Sequence, residues 1–184
     1  PATLDIKSEK RNGAVTIPSF KLSGENVSAA GSAALNKDLS EFQKISMENV
    51  SAGDTKLEHV LYEMGDNKLT IHLTGKSADL SSWWDNGEES SFSFETFPAL
   101  DFKADVGKIV LSRLGSIGKL KGEMQCNARL CEKADVSGII GDNKEFNFRI
   151  LRNPKGKRQV SLRALDAGAF LKAFGAYPNI EGGE

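Results

Sequence analysis

Histidine and cysteine are scarce in this chain, two of each in 184 residues. His59, His72, Cys126 and Cys131 also lack the spacing of a metal-ligand set, so no metal centre is expected. No charge of one sign dominates: 24 basic residues face 25 acidic ones, and the basic residues are scattered. That excludes the basic stripe of a nucleic-acid binder. No apolar run approaches the roughly 18 residues that cross a bilayer, and no secretory signal is recognisable. Enzyme motifs are missing too. Gly115-Ser116-Ile117-Gly118-Lys119 lacks the spacing and the following helix of a phosphate loop, and neither a G-x-S-x-G elbow nor an H-E-x-x-H pair occurs. The expectation is a non-enzymatic protein without cofactors. The chain opens at Pro1 and ends inside what reads as a strand start, so it reads as a piece of a longer protein.

Proline is rare and glycine frequent, and what fills the chain is period-two alternation. Lys68 to Thr74 places Leu69, Ile71 and Leu73 on one face, and Leu100 to Val106 does the same with Leu100, Phe102, Ala104 and Val106. Phe92 to Phe94, Glu145 to Ile150 (Phe146, Phe148, Ile150) and Gln159 to Ala164 (Val160, Leu162) follow the same rule. The opposite faces carry Thr70, His72, Asp101, Lys103, Asn147, Arg149, Ser161 and Arg163. One face is therefore wet and the other covered, the signature of antiparallel sheet.

Turn signals separate these runs at Arg11-Asn12-Gly13, Ser23-Gly24, Gly65-Asp66-Asn67, Asn86-Gly87, Gly141-Asp142-Asn143 and Asn153-Pro154-Lys155-Gly156. Their spacing predicts a mainly β fold, an antiparallel meander of many strands with one or two short helices. Pro18 interrupts the alternation between Ile17 and Phe20 and predicts a bulge or an edge. Ala29 to Ala34 reads as a small-residue strand or a flexible stretch, and Leu57 to Met64 as strand rather than helix. Cys126 and Cys131 flank a four-residue hairpin loop, which permits either a disulfide or two free thiols. The acidic run Asp85-Asn86-Gly87-Glu88-Glu89 reads as a solvated loop.

The tail is the most informative stretch. An alternating strand, Val160 to Ala164, runs into Asp166, which can accept from the unpaired amides of a first helical turn. Leu165 and Phe170 stand at the spacing of a hydrophobic staple. Ala167, Phe170, Leu171 and Phe174 share a helical face, and Gly175 is placed to close the helix. Thr74 through Trp84 repeats the theme with Asp79 as the cap, so the chain reads as one β-rich segment, 1–184, divisible into repeat-like halves 1–87 and 88–184. The adjacent Trp83 and Trp84 are candidates for the rim of a groove, where one end of the ring is apolar and the other wet; the plainer alternative buries both between sheet and loop.

Asp166-Ala167-Gly168-x-x-Leu171-x-x-x-Gly175-x-Tyr177, followed by Ile180-x-Gly182-Gly183, resembles the AsmA-like group of bacterial envelope proteins that includes the YhdP and TamB relatives. Phe20 to Ala33, Leu57 to Trp84 and Leu100 to Val110 are similar to further, more degenerate stretches of that pattern, whereas the Trp pair and the two cysteines depart from it. The resemblance implies an extended, curved antiparallel sheet, groove- or taco-like, of about ten to twelve strands, in a periplasmic segment of an inner-membrane-anchored protein that conducts phospholipid along an apolar β-groove and supports outer-membrane integrity. Its groove would be lined by Leu69, Ile71, Leu73, Leu100, Phe102, Phe146, Phe148, Ile150, Val160 and Leu162, with phospholipid acyl chains as partners. The alternative is a closed β-sandwich acting as an envelope scaffold, with the same residues as a dry core.

Overall fold

In a computed structural model of the chain, the structure describes residues 1–11, 14–81, 98–112, 115–127, 130–153 and 155–173. The strands are β1 (Ala2–Arg11), β2 (Ala14–Gly24), β3 (Val27–Leu35), β4 (Phe42–Ala52), β5 (Thr55–Met64), β6 (Lys68–Asp79), β7 (Ala99–Ser112), β8 (Gly115–Cys126), β9 (Cys131–Ile140), β10 (Lys144–Arg152) and β11 (Arg158–Ala164). They form a single sheet in strict chain order, curved and not closed into a barrel, and a short helix α1 (Ala167–Ala173) follows β11. Sequence expectation and structure agree on an extended curved sheet. The strand expected at Phe92 to Phe94, the Trp pair, the acidic run and the helix end at Phe174 and Gly175 lie outside the described residues.

Every neighbouring pair is antiparallel except one. β6 and β7 run parallel, from Lys68 beside Ala99 to Asp79 beside Val110. The sheet is thus two meanders, β1–β6 and β7–β11, joined side by side through residues 80–98. A parallel neighbour needs a crossover of a dozen or more residues, and the 19 residues between Asp79 and Ala99 are long enough for one. The hairpin turns use the expected chemistry: Gly141 and Asn143 take φ of 51° and 60°, and Gly156 takes 75°. Pro18 sits in a bulge, where the β2–β3 register slips between Ile17 and Phe20; β2 is paired on both sides, so the strand is not an edge.

A second irregularity crosses the sheet. Asn49, Glu58, Lys76, Gly107 and Lys119 drop out of the pairing ladder at adjacent positions on β4 to β8. Along this seam the strands shift phase by one residue. The buried positions pass from Ala104 and Val106 to Ile109 and Leu111 on β7, and from Leu120 to Ile117 on β8. Asn49 and Lys119 hold φ of 52° and 48°, and a Cβ on Gly107 would stand 2.6 Å from the Lys76 carbonyl oxygen. The main core lies beside the seam, where Leu57, Ala78, Val106, Ile109, Leu111, Ile117, Leu120, Ile140 and Phe146 pack together with Ala173 of α1.

Candidate functional site

The pairing registers show how the apolar residues of separate strands become one surface. Ile6 lies beside Phe20, Phe20 beside Gly31, Gly31 beside Met47, and Met47 beside Val60. Val60 continues to Leu73, Leu73 to Ala104, Ala104 to Gly122, and Gly122 to Val136. Val136 then meets Phe148, and Phe148 meets Leu162. One residue from every strand stands in this row and none is polar. Adjacent rows repeat the pattern: Tyr62, Ile71, Phe102, Met124, Ala134, Ile150 and Val160 follow one another across β5 to β11. The slips at Pro18 and along the seam keep the apolar residues on this side although the strands change phase.

All ten residues expected to line a groove fall on this face. Leu69, Ile71 and Leu73 pair with Leu100, Phe102 and Ala104, and Phe146, Phe148 and Ile150 pair with Ala164, Leu162 and Val160. Their exposure separates them. Leu69, Phe146 and Ile150 are buried; Ile71, Leu73, Leu100, Phe102 and Phe148 are partly buried; Val160 and Leu162 are 63% and 51% exposed. At the opposite edge Leu4 and Ile6 are 54% and 52% exposed. The face is therefore partly covered in the middle and exposed at both ends. The sequence reading missed Leu4, Ile6, Phe20, Met47, Val60 and Val136; alternation at Leu4 and Ile6, matched by Phe20 and Leu22, is the signal that could have found the first edge.

α1 covers one end of the face. The Asp166 carboxylate accepts from the Ala169 amide at 2.8 Å, as its place before the helix predicts. The inward surface is offset from the expected one: Gly168 and Ala173 are buried, and Ala169 and Phe170 pack on the core, whereas Leu165 stays exposed. Close contact explains the offset. A Cβ on Gly115 would lie 2.4 Å from Ala173 Cα, so only a small residue can face that strand. Phe170 meets Phe146 edge to face at 5.2 Å. Cys126 and Cys131 face each other across β8 and β9, joined as a disulfide, next to Leu100.

The opposite face is polar and cross-linked by charge. Lys68 meets Asp101 at 2.9 Å, Lys121 meets Asp105 at 2.9 Å, Arg149 meets Asp135 at 3.2 Å, and Lys133 pairs with Glu123. The hydrogen bond from Lys68 holds the Asp101 carboxyl below the usual carboxylate range, against the opposing effect of burial. Glu123 and Asp105 raise the ammonium groups of Lys133 and Lys121 through hydrogen bonds and Coulomb attraction. Among the described residues no three His, Cys, Asp or Glu side chains are grouped to hold a metal ion, and no helix is long and apolar enough to cross a membrane. Comparison with protein-family models, curated proteins and solved structures gives no match to this chain.

Proposed function

We propose that the apolar face carries phospholipid acyl chains, and that the chain serves as a periplasmic, non-enzymatic segment of an AsmA-like envelope protein between inner and outer membranes. The observation that carries this reading is the apolar row that crosses all eleven strands without a polar residue and stays exposed at both edges. At about 4.8 Å per strand the row measures roughly 48 Å. A hydrocarbon core of about 30 Å contains two layers of chains, so the row is longer than one acyl tail. Each methylene moved from water to such a surface gains about 0.8 kcal/mol, with no need for a specific residue. The open edges also suit a conduit whose neighbouring segments continue the strip.

The test is solvent extraction and mass spectrometry of the purified, folded protein. Phospholipid near one molecule per chain is expected, and Leu162→Asp should lower the amount retained without unfolding, because Leu162 is exposed. A compact, cooperatively folding protein free of lipid, with unchanged behaviour in Leu162→Asp, would instead favour the scaffold reading.

A further inference from the structure

A hollow of about 500 Å³ lies where α1 meets β7, β8 and β9, bordering the seam. Lys108, Lys119 and Lys172 line it together with Ser116, Asn143 and Gly118. No Asp or Glu is among its described lining residues, and these three lysines enter none of the described ion pairs. That sets them apart from Lys44, Lys68, Lys121 and Lys133, each of which meets a carboxylate. Three cationic side chains around one hollow, with no acidic residue in its described lining, give it a positive local potential. Lys172 stands in the last turn of α1, where a cation is favourable in any case; Lys108 and Lys119 come from strands and have no such reason to be basic.

We infer that this hollow binds a phosphate ester. A phosphate offers several acceptor oxygens to three ammonium groups at once, which a single carboxylate does less well. The volume lies in the range of ligand sites and leaves space for an organic substituent beside the anion. Backbone form supports the placement. Lys119 is held at φ 48° in the seam, which fixes where its side chain leaves the strand. A Cβ at Gly118 would meet only ordinary contacts, with Ile139 Cβ at 3.8 Å, so glycine leaves space there that a larger residue would fill. The site goes beyond the acyl-chain reading and does not need it, since a soluble phosphate ester and a phospholipid headgroup present the same group.

The experiment is titration of the ¹⁵N-labelled protein with sn-glycerol 3-phosphate at low salt, paired with flotation on phosphatidylglycerol and phosphatidylcholine vesicles. Saturable shifts at the Gly118 and Lys119 amides are expected, weakening as salt rises. Lys119→Gly, which removes the charge and suits the left-handed backbone, should weaken binding about tenfold. Gly118→Leu should block it, and Lys121→Gln, on an ion-paired lysine, should leave it unchanged. Vesicle binding that glycerol phosphate competes away identifies a headgroup site; glycerol phosphate binding without vesicle binding identifies a soluble ester. No saturable shift, or equal weakening by Lys121→Gln, would overturn the proposal. Co-purified lipid is measured separately, so the two readings fail independently.

Discussion

Two residues of the seam respond oppositely, one to losing its side chain and the other to gaining a methyl. Lys119 occupies the left-handed region that costs a non-glycine residue about 1–2 kcal/mol, so Lys119→Gly should stabilise the fold by about 0.5–1 kcal/mol after glycine's greater chain entropy is counted. Gly107→Ala pushes a methyl into the Lys76 carbonyl and should destabilise by roughly 1–3 kcal/mol. Urea unfolding of both variants checks the pair, and a loss of stability in Lys119→Gly would contradict the seam geometry. Asp101 supplies a pH-dependent counterpart. Its folded pKa is depressed, so its contribution is full above the unfolded carboxylate value near 3.9 and disappears as pH falls through the lower folded value. Asp101→Asn should therefore flatten the acid limb of a thermal-stability profile below about pH 4 and cost stability at neutral pH. An unchanged acid limb would show that the Lys68 bond is lost in solution.

Among the elements, α1 is the most exposed to test. Asp166→Ala removes the carboxylate from the Ala169 amide and should cost about 0.5–2 kcal/mol. Gly115→Ala should displace the helix altogether, since its methyl would overlap Ala173. Loss of helical circular dichroism in Gly115→Ala with the sheet signal retained is the expected result; loss of both would mean that α1 and the sheet fold as one unit. The elements also explain what could be read in the sequence. Lys68 to Thr74 and Leu100 to Val106 were recognisable as strands, yet each stops at the seam, whereas β6 and β7 continue to Asp79 and Ser112. Alternation is a test of phase, and the seam changes the phase in the middle of five strands. Glu58 stands in the seam near the start of Leu57 to Met64, so the alternation of that strand is interrupted as well. The Asp166 cap needed only local chemistry and was legible. The inward side of α1 was not, because it depends on Gly115, which is distant in sequence.

At the scale of the whole molecule, the apolar residues of the later strands were legible and their union into one face was not, since that requires the registers of ten neighbouring pairs. The parallel joint was missed because alternation does not report strand direction. The free edges carry their own consequence. β1 and β11 present exposed apolar residues on strands that have a described neighbour on one side alone, a combination that promotes edge-to-edge association. Light scattering should show concentration-dependent growth of the isolated chain, and Ile6→Lys together with Leu162→Lys should suppress it. Growth that persists in the double variant would place the contact elsewhere. The joint itself bears on how the molecule assembles in time. Each meander is stitched by short loops and so closes through cheap, local steps, whereas Lys68 finds Ala99 only after a long excursion of the chain. The two meanders should therefore appear early in pulsed hydrogen exchange, with amides of β6 and β7 at the joint the last to gain protection.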